Sequence, residues 1–208
     1  MDTTACMGAG IGQALGMEKS GISNKVVAII GDSTFLHAGI TSLVNAVYNE
    51  GGITVIILDN RTTAMTGHQE HPGTGISAQG KKTRAVELEP LVRGIGVNDV
   101  KVVNAFDIRE LRAAVRSSLD NPELSVIIVR GNCSVRVLGR SKSRAVDNEK
   151  CNQCGTCRLI GCPAIQIENG LVYIDPALCA GDACTLCQQI CPRQAIGIES
   201  KSKAAKSQ

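Results

Sequence analysis

Tryptophan is absent and other aromatics are scarce: Phe35, Phe106, Tyr48 and Tyr173 make up 2% of the 208 residues. Stacking on single-stranded nucleic acid needs aromatic faces interleaved with basic groups, and no such stretch exists. The net charge is only +3, too small for an electrostatic footprint on a duplex, so no nucleic acid partner is expected. No apolar run approaches the about 18 residues that signal a membrane span. The first residues, Met1-Asp2-Thr3-Thr4-Ala5-Cys6, lack the basic and apolar regions of a secretory leader. A cytoplasmic chain without a membrane partner is therefore expected. The serines form no nucleophile elbow, which excludes a serine hydrolase. The three histidines form no zinc-ligand pair.

What is present is aliphatic and sulfur-rich. The chain is 43% hydrophobic with 22 glycines, so the core must be built closely from Val, Ile, Leu and Ala. There are ten cysteines, and eight of them fall between Cys151 and Cys191. In a cytosolic protein such clustering points to metal or redox chemistry before disulfides.

Residues 26–30, Val-Val-Ala-Ile-Ile, and residues 54–58, Thr-Val-Ile-Ile-Leu, read as strands joined through a helix, a βαβ unit. The first strand, fully apolar over 26–30, reads as buried on both faces. Gly31-Asp32-Ser33 follows the first strand and Asp59-Asn60 the second. The crossover would bring Asp32 and Asn60 together at the ligand-binding edge of an open α/β sheet. A carboxylate, an amide and backbone carbonyls form an all-oxygen set suited to Mg²⁺, which takes few protein ligands and completes its shell with phosphate and water.

The rest of the first part alternates in the same way. Residues 3–19 contain Met7-Gly8-Ala9-Gly10-Ile11-Gly12, and Ala9, Ile11, Ala14, Leu15 and Met17 are expected to form one small-residue helix face, suited to close packing or to a wall beside a cofactor. The G-x-G-x-G spacing, with no strand before it, is not a dinucleotide fingerprint. Ser33 or Thr34 is expected to cap a helix over 35–49, stopped by Gly51-Gly52. Residues 61–83 form a long polar loop, a length that is usually functional or disordered. Within it His68 and His71 are candidate catalytic groups. His37, near the start of the preceding helix, is a weaker candidate. Helices over 86–94 and 107–119, the latter capped by Asp107, and strands over 101–103 and 124–129 complete a mostly parallel sheet with helices on both faces.

Residues 134–150 carry Arg136, Arg140, Lys142, Arg144 and Lys150 among Ser and Gly and read as a solvated basic linker. Beyond it the cysteines repeat: Cys151-x₂-Cys154-x₂-Cys157-x₄-Cys162-Pro163, then Cys179-x₄-Cys184-x₂-Cys187-x₃-Cys191-Pro192. Asn169-Gly170 between the halves predicts a type I′ hairpin. Two Cys₄ zinc sites are the alternative reading of these residues. Runs of three cysteines, each half ending in Cys-Pro, favour iron–sulfur. Cys6 and Cys133 fall outside the repeat and read as ordinary thiols. The division expected is 1–133, a linker 134–150, a cysteine domain 151–199 and a polar tail 200–208.

This cysteine pattern resembles bacterial two-cluster ferredoxins, in which the fourth cysteine of each run serves the other cluster. The resemblance implies one [4Fe-4S] cluster on Cys151, Cys154, Cys157 and Cys191, and a second on Cys162, Cys179, Cys184 and Cys187, in a small α+β ferredoxin-like domain. Gly31-Asp32-Ser33 with Asp59-Asn60 resembles the diphosphate motif of thiamine diphosphate enzymes. That resemblance implies Mg²⁺ on Asp32, Asn60 and the Thr62 carbonyl, with Gly31, Ser33 and Thr34 meeting the diphosphate. The order of these two parts, with Thr62-Thr63-Ala64-Met65-Thr66-Gly67-His68-Gln69 and His71-Pro72-Gly73-Thr74-Gly75, resembles the C-terminal portion of indolepyruvate:ferredoxin oxidoreductase alpha chains. Implied are oxidative decarboxylation of an aryl 2-oxoacid to an acyl-CoA, with coenzyme A as acceptor, and electron export through two clusters to ferredoxin. Implied partners are a beta subunit and a chain supplying the pyrimidine-binding domain, which is not found in this sequence. The alternatives are a tethered ferredoxin-type carrier with a non-catalytic α/β domain, or a pyruvate-type oxidoreductase subunit.

Overall fold

The computed structural model describes residues 3–137 and 142–198. Arg140 of the basic stretch and the tail 200–208 lie outside the described residues. The chain divides into two units, residues 1–105 with 109–133, and residues 106–108 with 134–208.

In the first unit, α1 (Gly10–Lys19) precedes β1 (Val27–Gly31), and α2 (Asp32–Thr34) runs through a π-turn, Phe35–Gly39, into α3 (Ile40–Tyr48). Then come β2 (Thr54–Asp59), α4 (Leu88–Ile95), β3 (Asp99–Asn104), α5 (Ile108–Asp120) and β4 (Ser125–Arg130). The four strands are parallel in the order β1-β2-β4-β3. Ile11 and Leu15 of α1, Leu43 and Ala46 of α3, and Leu88 and Val92 of α4 pack on Ala28, Ile30, Val55, Ile57, Val100, Val126 and Ile128 of the sheet. Ala114, Leu111 and Val115 of α5 cover the opposite face at Val103, Ile127 and Val129. Helices therefore lie on both faces of a parallel sheet, as the βα alternation implies.

Two local expectations change. The first strand is an edge strand and is buried on one face only. Ala28 and Ile30 are buried, whereas Val27 is 38% and Ile29 61% exposed, because α5 covers the β3–β4 side and does not reach β1. The helix after β1 begins at Asp32, with Gly31 in the extended N-cap position and no side-chain cap. Ser33 and Thr34 thus sit inside its first turn. The helix ends at Tyr48. As expected, Gly51 closes it, its N–H donating to the Ala46 carbonyl at 2.9 Å beside the Glu50 N–H to Val47 at 3.1 Å, and a Cβ there would lie 2.7 Å from Leu15 Cδ1.

In the second unit α6 (Ser134–Val137) and β5 (Arg144–Val146) precede two short strands, β6 (Ile165–Glu168) and β7 (Leu171–Ile174), then α7 (Leu186–Ile190) and β8 (Ile196–Ile198). β6 and β7 pair antiparallel. Asn169 at φ 50° and Gly170 at φ 79° supply the two positive φ values of the type I′ turn. β5 pairs antiparallel with β8, and Arg144 is 5% exposed. Residues 144–146 are therefore part of a folded sheet rather than a solvated connector. A chain of basic residues reads as solvent-facing by default, and this strand's partner lies some fifty positions away, beyond any local signal. The core is small and sulfur-rich: Cys157, Cys179 and Cys187 pack with Ala164, Val172, Ile174 and Ile196.

Candidate cofactor and cluster sites

The register aligns Gly31 with Leu58 and Asp59 with Arg130. Asp32 and Asn60 consequently emerge together at the carboxyl edge of adjacent strands. Asp32 is 2% exposed. Its Oδ1 accepts the Ser33 backbone N–H at 2.7 Å, and its Oδ2 accepts the Arg61 N–H at 2.8 Å. Burial pushes this carboxyl above its usual range and the Asp59 charge adds to that. The Ser33 and Arg61 N–H groups and the neighbouring His71 oppose it without winning. A carboxylate held so is short of positive charge.

Asn60 Oδ1 accepts the Thr62 N–H at 3.0 Å, a turn closed through the side chain, with Arg61 at φ 58° between them. Thr62 is 2% exposed and its Oγ1 has no hydrogen-bond partner. Thr63 Oγ1 donates to Ser33 Oγ at 2.8 Å, joining the two turns. A Cβ built on Gly31 meets nothing within 4 Å, so open space lies beside this turn. An oxygen-rich corner with a buried, underneutralised carboxylate, an orphan hydroxyl and free space fits a hard cation carrying phosphate.

The long loop is tied to this corner. His71 is 5% exposed. Its Nδ1 accepts the Gly73 N–H at 3.1 Å, so in the neutral ring the proton sits on Nε2. Nε2 lies 3.3 Å from Asp32 Oδ2 yet makes no hydrogen bond. It is near enough to attract the carboxylate and off the line a hydrogen bond requires. His68, half-buried at φ 64°, joins the loop through its N–H to the Thr63 carbonyl at 3.0 Å, and its Nδ1 is buried without a partner. His37 is exposed; its Nδ1 donates to the Ser33 carbonyl at 2.6 Å within the π-turn.

Arg61 has the most consequential role that residue-type reasoning misses. Its Nε pairs with buried Asp59 at 3.2 Å, Nη1 donates to the Gly73 carbonyl at 3.0 Å and Nη2 reaches Glu87 at 3.2 Å. One side chain thus anchors both ends of the loop carrying His68 and His71. Its only local signal is its place directly after Asn60. Arg130 completes the pairing of Asp59 at 2.8 Å.

Gly8, at φ 92°, lies where a Cβ would come within 2.6 Å of Ala38 Cβ. At that glycine the N-terminal stretch packs closely against the helix following Asp32.

In the second unit all eight clustered cysteines are free thiols, as are Cys6 and Cys133. They fall into two electrostatic groups. Burial raises Cys157, and the neighbouring charges of Cys151, Cys191 and Cys154 raise it further. Burial likewise raises Cys187 to about 11, reinforced by Cys184, Cys179 and Cys162. The fourth thiol of each group comes from the other half of the repeat. A cavity lined by Cys151, Cys154, Cys157, Cys191, Val172 and Pro192 opens at the first group. Gln153, Gly155 and Gly161 take positive φ around it, bending the loop so that its thiols converge. Among the described residues no three His, Cys, Asp or Glu side chains close on a point that holds a single metal ion.

Comparison with known proteins follows this division. Residues 1–129 match the model for the thiamine pyrophosphate enzyme C-terminal TPP binding domain. The indolepyruvate oxidoreductase subunit IorA of Archaeoglobus fulgidus is 42% identical over 94% of this chain and 32% of its own length. That of Methanothermobacter marburgensis is 43% identical over 96% of this chain and 32% of its own length. The chain spans about a third of the length of the curated relatives it matches. Among solved structures, a 2-oxoglutarate:ferredoxin oxidoreductase from Magnetococcus marinus superposes with a TM-score of 0.55 at 12% identity, covering 61% of this chain and 46% of that one. At that identity the likeness is one of fold.

Proposed function

The chain belongs to the thiamine pyrophosphate enzyme family through a C-terminal TPP binding domain, and from that premise we propose that it is a subunit of a 2-oxoacid:ferredoxin oxidoreductase of the indolepyruvate type. The substrate class follows the naming of relatives at 42% and 43% identity. One observation carries the reading: a single chain joins the Asp32–Asn60 corner to two crossed groups of four thiols.

Asp32, the Asn60 side-chain oxygen and the Thr62 carbonyl would hold Mg²⁺, and backbone N–H groups from Gly31 to Thr34 would meet the diphosphate. When bound, thiamine diphosphate supplies the electron sink for decarboxylating a 2-oxoacid. The protein's part is positional. The Ser33 and Arg61 N–H groups fix both Asp32 oxygens. His71, braced by Gly73, sits with Nε2 3.3 Å from Asp32 Oδ2, which makes it a positioning residue for the metal-binding carboxylate. His68, with an unpartnered Nδ1, is the loop histidine proposed to touch substrate.

Cys151, Cys154, Cys157 and Cys191 would hold one [4Fe-4S] cluster, and Cys162, Cys179, Cys184 and Cys187 the other. Ligation displaces the thiol protons, which the raised Cys157 and Cys187 keep in the metal-free protein. Ferredoxin, a beta subunit, coenzyme A and a chain supplying the pyrimidine side of the cofactor are the proposed partners.

The test is anaerobic reconstitution with these partners, followed by ferredoxin reduction with a panel of 2-oxoacids and coenzyme A. Indolepyruvate and phenylpyruvate should turn over faster than pyruvate, and Asp32→Ala should abolish turnover. Unchanged activity in Asp32→Ala would leave a tethered electron carrier as the reading. A preference for pyruvate would reassign the substrate.

A further inference from the structure

The two thiol groups differ in their surroundings, and the difference centres on Arg144. Its guanidinium is always protonated, and the residue is 5% exposed. Nε donates to the Cys184 carbonyl at 3.2 Å and Nη1 to the Gln188 side-chain oxygen at 2.9 Å. Both acceptors are neutral, and no carboxylate pairs with Arg144 among the described residues. A buried cation with only neutral partners is costly unless an anion lies close by. The Arg144 charge acts directly on the second thiol group, at Cys184. The Arg144 backbone N–H points at Cys179 Sγ at 3.4 Å, joined there by the Gly181 N–H at 3.3 Å. Burial and the thiols of Cys162 and Cys179 push Cys184 upward, while the Arg144 charge opposes them.

Among the described residues the other group has no such buried cation. Arg193 lines its cavity but is exposed, so water and salt screen it. Its sulfur contacts are the Ala195 N–H to Cys191 Sγ at 3.3 Å and the Thr156 hydroxyl beside Cys154 Sγ at 3.3 Å.

We propose that Arg144 is a built-in counter-charge that gives the cluster on Cys162, Cys179, Cys184 and Cys187 the higher reduction potential, so that an electron entering the pair comes to rest there. The inference builds on the two-cluster reading above. Reduction adds one negative charge to a cluster. A buried cation and N–H groups aimed at its sulfurs stabilise the reduced form more than the oxidised one.

The experiment is an EPR-monitored redox titration of the anaerobically reconstituted full chain. Each electron comes from dithionite, which is oxidised to sulfite, and converts one cluster to its one-electron-reduced form. Iron content and the visible spectrum are recorded first. If no iron–sulfur cluster forms, the two-cluster reading fails before this inference is reached. With clusters present, two waves are expected. Cys184→Ser should perturb the higher one and Cys154→Ser the lower. Arg144→Gln should move the higher wave down by at least a tenfold change in the electron's partition, about 59 mV for one electron, and leave the lower wave in place. Arg144→Lys, which keeps the charge, should restore most of the shift. If Arg144→Gln fails to retain its cluster, the wild-type assignment and Arg144→Lys decide. The proposal is overturned if the higher wave belongs to the Cys154 site, or if a cluster-loaded Arg144→Gln leaves both waves unmoved.

Discussion

Asp32 is pulled in opposite directions: burial raises its carboxyl, and two backbone N–H groups and His71 hold it down. The net shift is upward. For a raised carboxyl the stabilising contribution is present below the unfolded value of 3.8 and is lost as pH rises through the folded value. At neutral pH the metal-free chain therefore carries Asp32 as a liability that a bound cation would relieve. Asp32→Asn should leave the metal-free Tm unchanged or higher, and should abolish the Tm rise on adding Mg²⁺ with thiamine diphosphate. His71→Phe should weaken the Mn²⁺ affinity of this corner by roughly 10–100-fold, the usual consequence of losing a group that orients a metal ligand, as read by Mn²⁺ EPR. Asp99 behaves in the opposite way. Burial would raise it, but hydrogen bonds from Lys101, Ser125 and Asn121 outweigh burial and lower it. Its contribution is present above 3.8 and disappears as pH falls through the lowered value. Asp99→Asn should therefore narrow the gap in Tm between neutral and acid pH.

At the scale of elements, burial separates neighbours in sequence. Leu43 of α3 is fully buried and Ile29 of β1 is 61% exposed. Leu43→Ala should cost about 2–5 kcal/mol in denaturant unfolding, whereas Ile29→Thr should stay within about 0.5 kcal/mol. Gly170, at φ 79°, should lose about 1 kcal/mol on substitution by Ala. Strands β1, β2 and β4 were legible because uninterrupted runs of Val, Ile and Leu announce them, whereas β5, a basic stretch, was not. The hairpin was legible because Asn-Gly is tied to one turn type. Less legible was where the helix after β1 begins. Its N-cap is Gly31, so the familiar capping residues Ser33 and Thr34 misplaced the start by three positions. The Asp32–Asn60 meeting could be read because a βαβ crossover dictates it. The contacts of Arg61 with Gly73 and Glu87, and of Arg144 with Cys184 and Gln188, could not, because these partners lie 12 to 44 positions away and a basic residue reads as solvated by default.

At the scale of the whole chain, the two units owe their stability to different things. The first has an aliphatic core spread over a four-stranded sheet and three helices. The core of the second is built partly from its own cysteines, so under the proposed two-cluster reading folding and cluster binding would be one process. Stripping iron with a chelator should remove the second unit's calorimetric transition and leave the first unit's in place. The central claim is that a cation-dependent diphosphate site sits at the Asp32–Asn60 corner of a chain that also carries the cluster ligands. Isothermal titration of thiamine diphosphate into the anaerobically reconstituted full chain, with and without Mg²⁺, tests it most directly. Saturable binding that requires Mg²⁺ and vanishes in Asp32→Asn is the expected result. No binding in Mg²⁺, or binding indifferent to both Mg²⁺ and Asp32, would contradict it.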